Sequence, residues 1–362
     1  MRVSFAGGGS DLPGVARQDG GRVVGAAVDL RVRVIVEPFD RGWVRMELAA
    51  RGQATPAEGA EAGDPTAGGA TAGGARTGGA AAGGAAAGDE KESALRVITR
   101  RRSDPPRDDL AFRLLEATLA ATGVGDGVAL RVESETSPGA GLGGSASAAV
   151  AALFALRAAV GEAAAPEELA REAVAIERER LHNACGAQDQ VFAAFGGLLD
   201  LAFDARGCSG VRPLAIGCPD LVPALSAGLL LVDTAVRRVS GEVLDRVDAG
   251  AACDAQAELV AAAGEVARGF ELGSLALVLS GMRRGAAAKV RLSAAGSAIA
   301  VSLQRRLDGL GVEVLRMCGA GGGGHLVLWA PPERHARILD ALGPCLVRRP
   351  ALGAPGVRLD PG

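Results

Sequence analysis

The sequence predicts a mixed α+β protein, and three observations carry that reading. Segments such as Arg2–Ala6 and Leu30–Val36 alternate apolar with polar or small residues, the period of two that a half-buried strand requires. Segments such as Asp109–Thr122 instead place Leu110, Leu114, Leu115 and Leu119 on one helical face. Finally, 362 residues with 48% hydrophobic content are enough for a large core, in one large or two medium domains, and no apolar run is long enough to span a bilayer.

In chain order, the first strand, Arg2–Ala6, runs into Gly7-Gly8-Gly9-Ser10-Asp11-Leu12-Pro13, a glycine turn with an Asx cap on its plainest reading. Two strands follow between Gly21 and Val36, with Arg31 and Arg33 on a solvated face, and Trp43–Leu48 continues the sheet. Residues 52–88 collapse into Ala/Gly repeats without large apolar side chains. Such a stretch cannot offset its ordering entropy, so it is expected to be a disordered insertion between Leu48 and Leu95, not a domain boundary. Leu95–Ile98 resumes a strand, and Arg100-Arg101-Arg102 reads as a solvated loop before the helix Asp109–Thr122.

Next comes the stretch around which the chain is organised, Ser137-Pro138-Gly139-Ala140-Gly141-Leu142-Gly143-Gly144-Ser145-Ala146-Ser147. It lies between a strand, Val128–Val132, and an alanine-rich helix that ends near Val160. Glycines allow tight turning and close approach, and the helix start adds free N–H groups and a positive dipole end, so together they form a phosphate cradle. The lysine of GxxxxGK[ST] is missing, which excludes the ordinary P-loop. Gly139, Gly141 and Gly144 fit GxGxxG, but the acidic strand end a dinucleotide fold needs about 20 residues on is replaced by Ala163-Ala164-Ala165-Pro166. A glycine turn that merely packs a helix on a sheet leaves the hydroxyls of Ser145 and Ser147 unexplained.

Pro166–Arg180 is a second helix, with Glu167 and Glu168 favouring its start and Ile176 and Leu181 on its buried side. It delivers Glu177-Arg178-Glu179 towards His182–Gln190, and His182 reads as a satisfied loop histidine. Val191–Leu199 is expected to return to the sheet, and Ser226–Val232 to form a buried strand. Asp189, between two glutamines and flanked by apolar runs, is costly to bury unless paired or used. Two or three helices fill Glu242–Leu310. The strand Val312–Met317 then leads through Cys318-Gly319-Ala320-Gly321-Gly322-Gly323-Gly324-His325 into Leu326–Trp329.

Composition narrows the function. A net charge of −3 and 3% aromatic residues argue against a nucleic-acid partner and for a small-molecule substrate. Six cysteines without CxxC spacing, with no HExxH, no histidine cluster and no signal-peptide pattern, read as reduced core thiols of a cytoplasmic protein without a membrane partner.

Pro138–Ala146 resembles the second motif of the GHMP small-molecule kinases, Pro-x-x-x-Gly-Leu-Gly-Ser-Ser-Ala, with one residue fewer between Pro138 and Gly141 and with Gly144 in place of the first serine. Ala6–Pro13 resembles the first motif of the sugar-directed members, most of all the heptose 7-phosphate kinase branch. The glycine turn Cys318–His325 resembles the third motif, with Cys318 in place of serine. Asp233-Thr234-Ala235-Val236-Arg237-Arg238-Val239-Ser240 is similar to that branch's Thr-Gly-x-x-Arg-x-Ser segment, with Ala235 in place of glycine.

The resemblance implies two lobes, an N-terminal one like ribosomal protein S5 domain 2 (residues 1–205) and a ferredoxin-like C-terminal one (206–362), with the site in their cleft. It implies ATP on Pro138, Gly139, Ala140, Gly141, Leu142, Gly143, Gly144, Ser145, Ala146 and Ser147, and Mg²⁺ on Ser145 and Glu177, with Glu179 the rival ligand. Gly8, Gly9, Ser10, Asp11, Gln188, Arg238, Gly321 and Gly322 would border the sugar, Asp189 would be the base, and Arg2 would stabilise the transferring group. Such proteins carry several residues before that arginine, whereas this chain starts one residue ahead of it, and a misassigned or trimmed start stays open. The implied reaction is phosphorylation of the anomeric hydroxyl of a heptose 7-phosphate for nucleotide-sugar biosynthesis. An octose 8-phosphate or a free deoxyhexose stays open, as do a dinucleotide-dependent oxidoreductase, an inactive sensor, and the oligomeric state, a homodimer included.

Overall fold

The computed structural model describes residues 1–12, 14–16, 20–50, 95–101, 103–105, 108–236, 249–292, 294–319, 321 and 323–360. The insertion expected at 52–88, Arg238 and Gly322 lie outside the described residues.

Three four-stranded sheets organise the chain. The first has the order β1-β2-β7-β8, from β1 (Arg2–Ala6), β2 (Gly21–Ala27), β7 (Leu198–Asp204) and β8 (Gly207–Pro213), all antiparallel. The second has the order β3-β6-β4-β5, from β3 (Val32–Pro38), β6 (Val128–Ser134), β4 (Trp43–Ala50) and β5 (Arg96–Arg101). Here β4 and β5 pair antiparallel, Leu48 opposite Arg96, so the alanine–glycine stretch joins two partnered strands. The third has the order β10-β11-β9-β12, from β10 (Val314–Met317), β11 (His325–Trp329), β9 (Leu229–Asp233) and β12 (Val347–Arg348).

Helices α1 (Leu110–Thr122), α2 (Gly144–Ala159), α3 (Pro166–Ala175) and α4 (Gln188–Phe195) share a core with the first sheet, built on Leu153, Leu169, Ile176, Phe192 and Leu201. α5 (Leu221–Gly228), α6 (Ala249–Glu271), α7 (Leu275–Leu292), α8 (Ala294–Leu307) and α9 (His335–Leu342) belong to the second half. Helices α6 and α7 bring Val266, Phe270, Val278 and Met282 against Val3, Phe5 and Val24 of the first sheet. One core therefore ties the strand that carries Arg2 to the sheet that carries the last glycine turn.

Several sequence expectations need correction. Val191–Phe195 is the body of α4, and the strand begins only at Leu198; Val191, Phe192 and Ala194 are buried together, and Gly196 and Gly197, at φ 69° and 75°, end the helix. Ser226–Gly228 closes α5, where a side chain at 228 would meet the Trp329 indole at 2.4 Å, so the strand starts at Leu229. Arg100 and Arg101 sit in β5, the first paired with Glu116 and the second over the Trp43 ring at 5.0 Å. Of the described cysteines only Cys318 is fully buried, the other four free thiols being partly exposed.

Candidate active site

The glycine stretch is a turn-rich loop that becomes a helix. Gly139, Gly141 and Gly143 adopt φ of 77°, 75° and 78°, a region that costs other residues roughly 1–2 kcal/mol. Gly143 caps α2 without any side-chain hydrogen bond, so the first N–H groups of this 16-residue helix are left for an anion. Ser145 is exposed at the helix start, whereas Ser147 is buried and donates to Gly143 O at 2.9 Å. A methyl at Gly144 would meet nothing nearer than 3.9 Å, so a serine there would fit.

Asp189, in the first turn of α4, lies against this loop. A Cβ built on Gly143 would stand 3.2 Å from Asp189 Cγ, so only glycine lets the carboxylate come this close. Arg2 holds Asp189 Oδ1 through Nε at 2.6 Å and donates through Nη1 to Gly141 O at 2.8 Å. Burial alone would depress the Arg2 guanidinium; the Asp189 charge and hydrogen bond overturn that and hold it above its ordinary value.

Asp11 accepts from Gly9 N at 3.1 Å, from Gln188 Nε2 at 2.9 Å and from Gln188 N at 3.2 Å. Its carboxyl is pushed up by burial and by Asp189, against the pull of those N–H groups. Gly186 is what admits it, since a Cβ there would fall 1.8 Å from Asp11 Oδ2. Gly8 is buried beside the Gln188 amide, whose Oε1 has no partner among the described residues, while the space beside Gly9 is open. Ser10 is fully buried, donating to Gly7 O at 2.8 Å and accepting from Arg22 N at 3.1 Å, so it braces the loop.

Glu177 sits in a π-turn, Ile176–Arg180, closed by Leu181 N on Ile176 O at 3.1 Å. It is 7% exposed and accepts from Gln190 Nε2 at 2.8 Å. Burial pushes its carboxyl up to about 7, the Gln190 bond opposing and the Asp189 charge adding. A buried carboxyl held with one amide is a group a cation would complete. One carboxylate, one exposed hydroxyl and substrate phosphates match the habit of Mg²⁺, and among the described residues no cluster of three or more His, Cys, Asp or Glu offers a protein-only cage. The residues present fit ATP and Mg²⁺.

The last glycine turn closes on the same loop. Ala140 O receives the His325 N–H at 2.9 Å and lies 3.1 Å from His325 Nδ1, and a Cβ at Gly324 would stand 2.6 Å from it. A Cβ at Gly141 would likewise stand 2.9 Å from Cys318 O. Gly321, at φ 98°, belongs to this turn.

Residues 109–197 match the family model for the GHMP kinases N terminal domain. Over those residues the chain is similar to the N-terminal domain of the GHMP kinases. The fold of the whole chain is also that of these kinases. A D-glycero-D-manno-heptose 1-phosphate kinase from Bacteriodes thetaiotaomicron superposes with a TM-score of 0.69 at 18% identity, over 98% of this chain and 95% of that one. A galactokinase from Lactococcus lactis complexed with galactose gives 0.68 at 14% identity, over 98% and 92%. A phosphomevalonate kinase from Streptococcus pneumoniae, in complex with phosphomevalonate and AMPPNP, gives 0.66 at 13%, over 97% of each chain. No curated protein sequence matches at a significant level. Among the described residues no helix is long and apolar enough to cross a membrane.

Two contributors to this site escaped sequence reasoning. Arg316 of β10 is buried and donates to Phe5 O at 2.7 Å, at a bulge where β1 leaves its ladder with β2, and to Ser4 Oγ at 3.1 Å. Burial lowers its guanidinium to about 10, with Cys318 opposing and Arg2 adding. The other is Gln190, whose amide orients Glu177. The only available clue was a charged residue in the apolar run of β10.

Proposed function

We propose that this protein is an ATP- and Mg²⁺-dependent sugar kinase that phosphorylates the anomeric hydroxyl of a sugar phosphate, a heptose 7-phosphate first, giving the 1,7-bisphosphate. The observation that carries the reading is the approach of the Asp189 carboxylate to Gly143, held there by Arg2. Phosphoryl transfer asks for placement and charge neutralisation, and this arrangement puts a proton acceptor beside a phosphate cradle.

In this mechanism the loop Pro138–Ser147 receives the nucleotide phosphates on its backbone N–H groups. Bound Mg²⁺ would supply neutralisation of phosphate oxygens, held by Ser145 and Glu177. Asp189 accepts the hydrogen bond of the attacking hydroxyl and takes its proton as the new O–P bond forms and the bond from the γ-phosphorus to the β,γ-bridging oxygen breaks, ADP leaving with that electron pair. Arg2, fixed between Asp189 and Gly141, faces the negative charge that develops there. Asp11 and Gln188 accept and donate to sugar hydroxyls, Gly8, Gly9, Gly321 and Gly322 would border the ring, Ser10 braces the first loop, and Arg238 would take the sugar's terminal phosphate. The lobes divide near residue 205. A Lactococcus lactis galactokinase with galactose among the similar structures supports a sugar as the acceptor, and keeps a free hexose as the second substrate to try.

The test is an ADP-release screen over heptose 7-phosphates, octose 8-phosphates and free hexoses, with Asp189→Asn alongside. Turnover of a phosphorylated sugar by the wild type, abolished in the variant while nucleotide binding persists, is expected. Undiminished turnover in Asp189→Asn would remove that residue from the chemistry.

A further inference from the structure

Behind the Arg2–Asp189 pair the chain passes once more. After β12 it leaves the third sheet and crosses the end of the first, where β2 stops and β7 starts. Ala351 N donates to Asp29 Oδ1 at 2.8 Å, and Gly353 N and Ala354 N both donate to Ala27 O, at 2.9 and 3.1 Å. Gly197 N returns a bond to Ala354 O at 2.8 Å, and Val357 N donates to Ala193 O at 2.9 Å. Leu352 packs on the central core and Val357 on the core beneath α4. The fit is close: a Cβ on Gly356 would stand 2.2 Å from Ala194 O, and one on Gly196 would stand 2.0 Å from Gly356 N.

These bonds land on two elements. Ala27 is the cross-strand partner of Arg2 in the β1–β2 ladder. Ala193 and Ala194 form the last turn of α4, whose first turn carries Asp189. At about 1.5 Å per residue α4 is a rod of about 12 Å, short enough for a displacement of its far end to reach Asp189 nearly undiminished. Gly196 and Gly197, both at positive φ, make the joint where that rod would otherwise swing.

We infer that residues 351–357 are a positioning strap that fixes Ala27, the cross-strand partner of Arg2, and the far end of the helix bearing Asp189, and so sets the alignment of that pair for transfer. The inference rests on the kinase reading of the two residues. The strap touches no substrate and acts through backbone hydrogen bonds, so it governs the chemical step and leaves nucleotide affinity alone.

The experiment uses the full chain with Gly356→Ala, which drives a methyl into Ala194 O, and Gly353→Ala, which places one 2.9 Å from Leu198 Cδ1 at φ 81°. Leu359→Ala, at a residue 63% exposed, is the control. Turnover on the best sugar is measured together with the Kd and the stoichiometry of AMPPNP binding. Expected is a fall in kcat of about 10- to 100-fold in one or both glycine variants, with full nucleotide stoichiometry and unchanged Kd, and no change in the control. Loss of kcat in step with loss of nucleotide sites marks a merely structural segment and overturns the proposal, as does wild-type kcat in both glycine variants. If the wild type itself turns over no sugar, the kinase reading fails and the strap falls with it; an active wild type with indifferent glycine variants sinks the strap alone.

Discussion

Two adjacent glycines in the phosphate loop should respond oppositely to the same methyl group. At Gly143 the backbone is at φ 78°, where an L-residue costs roughly 1–2 kcal/mol. The added Cβ would also meet Asp189 Cγ, Cβ and Oδ2 at 3.2, 3.3 and 3.3 Å. Ordinary carbon contacts begin near 3.5 Å, so the carboxylate must retreat by a few tenths of an ångström against the grip of Arg2. A displacement of about 1 Å can cost about 100-fold in rate, so Gly143→Ala should lower kcat by about 3- to 10-fold. The strain should lower Tm by roughly 2–8 °C. At Gly144 the φ is ordinary and the nearest atom to a new methyl is 3.9 Å away. Gly144→Ala should therefore leave kcat alone and stabilise by about 0.4–1 kcal/mol. Calorimetry and ADP-release kinetics on the pair settle it. Full activity in Gly143→Ala, or equal damage from both, would refute the placement of Asp189 against the loop.

Further outcomes follow from the same geometry. Gly186→Ala puts a methyl 1.8 Å from Asp11 Oδ2, so it should raise the KM for the sugar well above the KM for ATP, read by steady-state kinetics. Because the folded-state pKa of Glu177 is raised to about 7 from 4.5, its contribution to stability is present below about 4.5 and fades as pH rises through 7. Glu177→Gln should flatten that decline in pH-dependent melts, and it should also abolish the rise in Tm that Mg²⁺ gives the wild type at pH 8. Arg316→Met strips the bulged Phe5 carbonyl of its donor and should cost about 1–3 kcal/mol in denaturant unfolding. Ala235 is held at φ 58° where the resemblance expects glycine, so Ala235→Gly should be neutral or stabilise by about 1 kcal/mol in the same assay.

The parts of the site legible in the sequence were those whose function needs unusual backbone. Gly139, Gly141 and Gly143, like Gly321, Gly323 and Gly324, announce themselves because no other residue suits positive φ or so close an approach. The α1 helix was equally plain, with Asp109 accepting from Ala111 N and Phe112 N at its start. The body of α4 was misread as strand because a short apolar run looks alike in either form when helix and strand bury the same number of side chains. Arg316 was hidden because its use depends on a bulge in a strand 311 residues away. The strap was hidden for another reason: Leu352-Gly353-Ala354-Pro355-Gly356-Val357 acts through its main chain, and main-chain donors leave no residue signature.

The double hold on the Ala140 carbonyl has a mechanical consequence. It belongs to the glycine loop that precedes α2, while the histidine whose backbone N–H it accepts opens β11 in the other half of the chain. On the proposed reading the two halves are hydrogen-bonded to each other at the place where triphosphate would lie, so Ala140 cannot move away from β11 without giving up that bond.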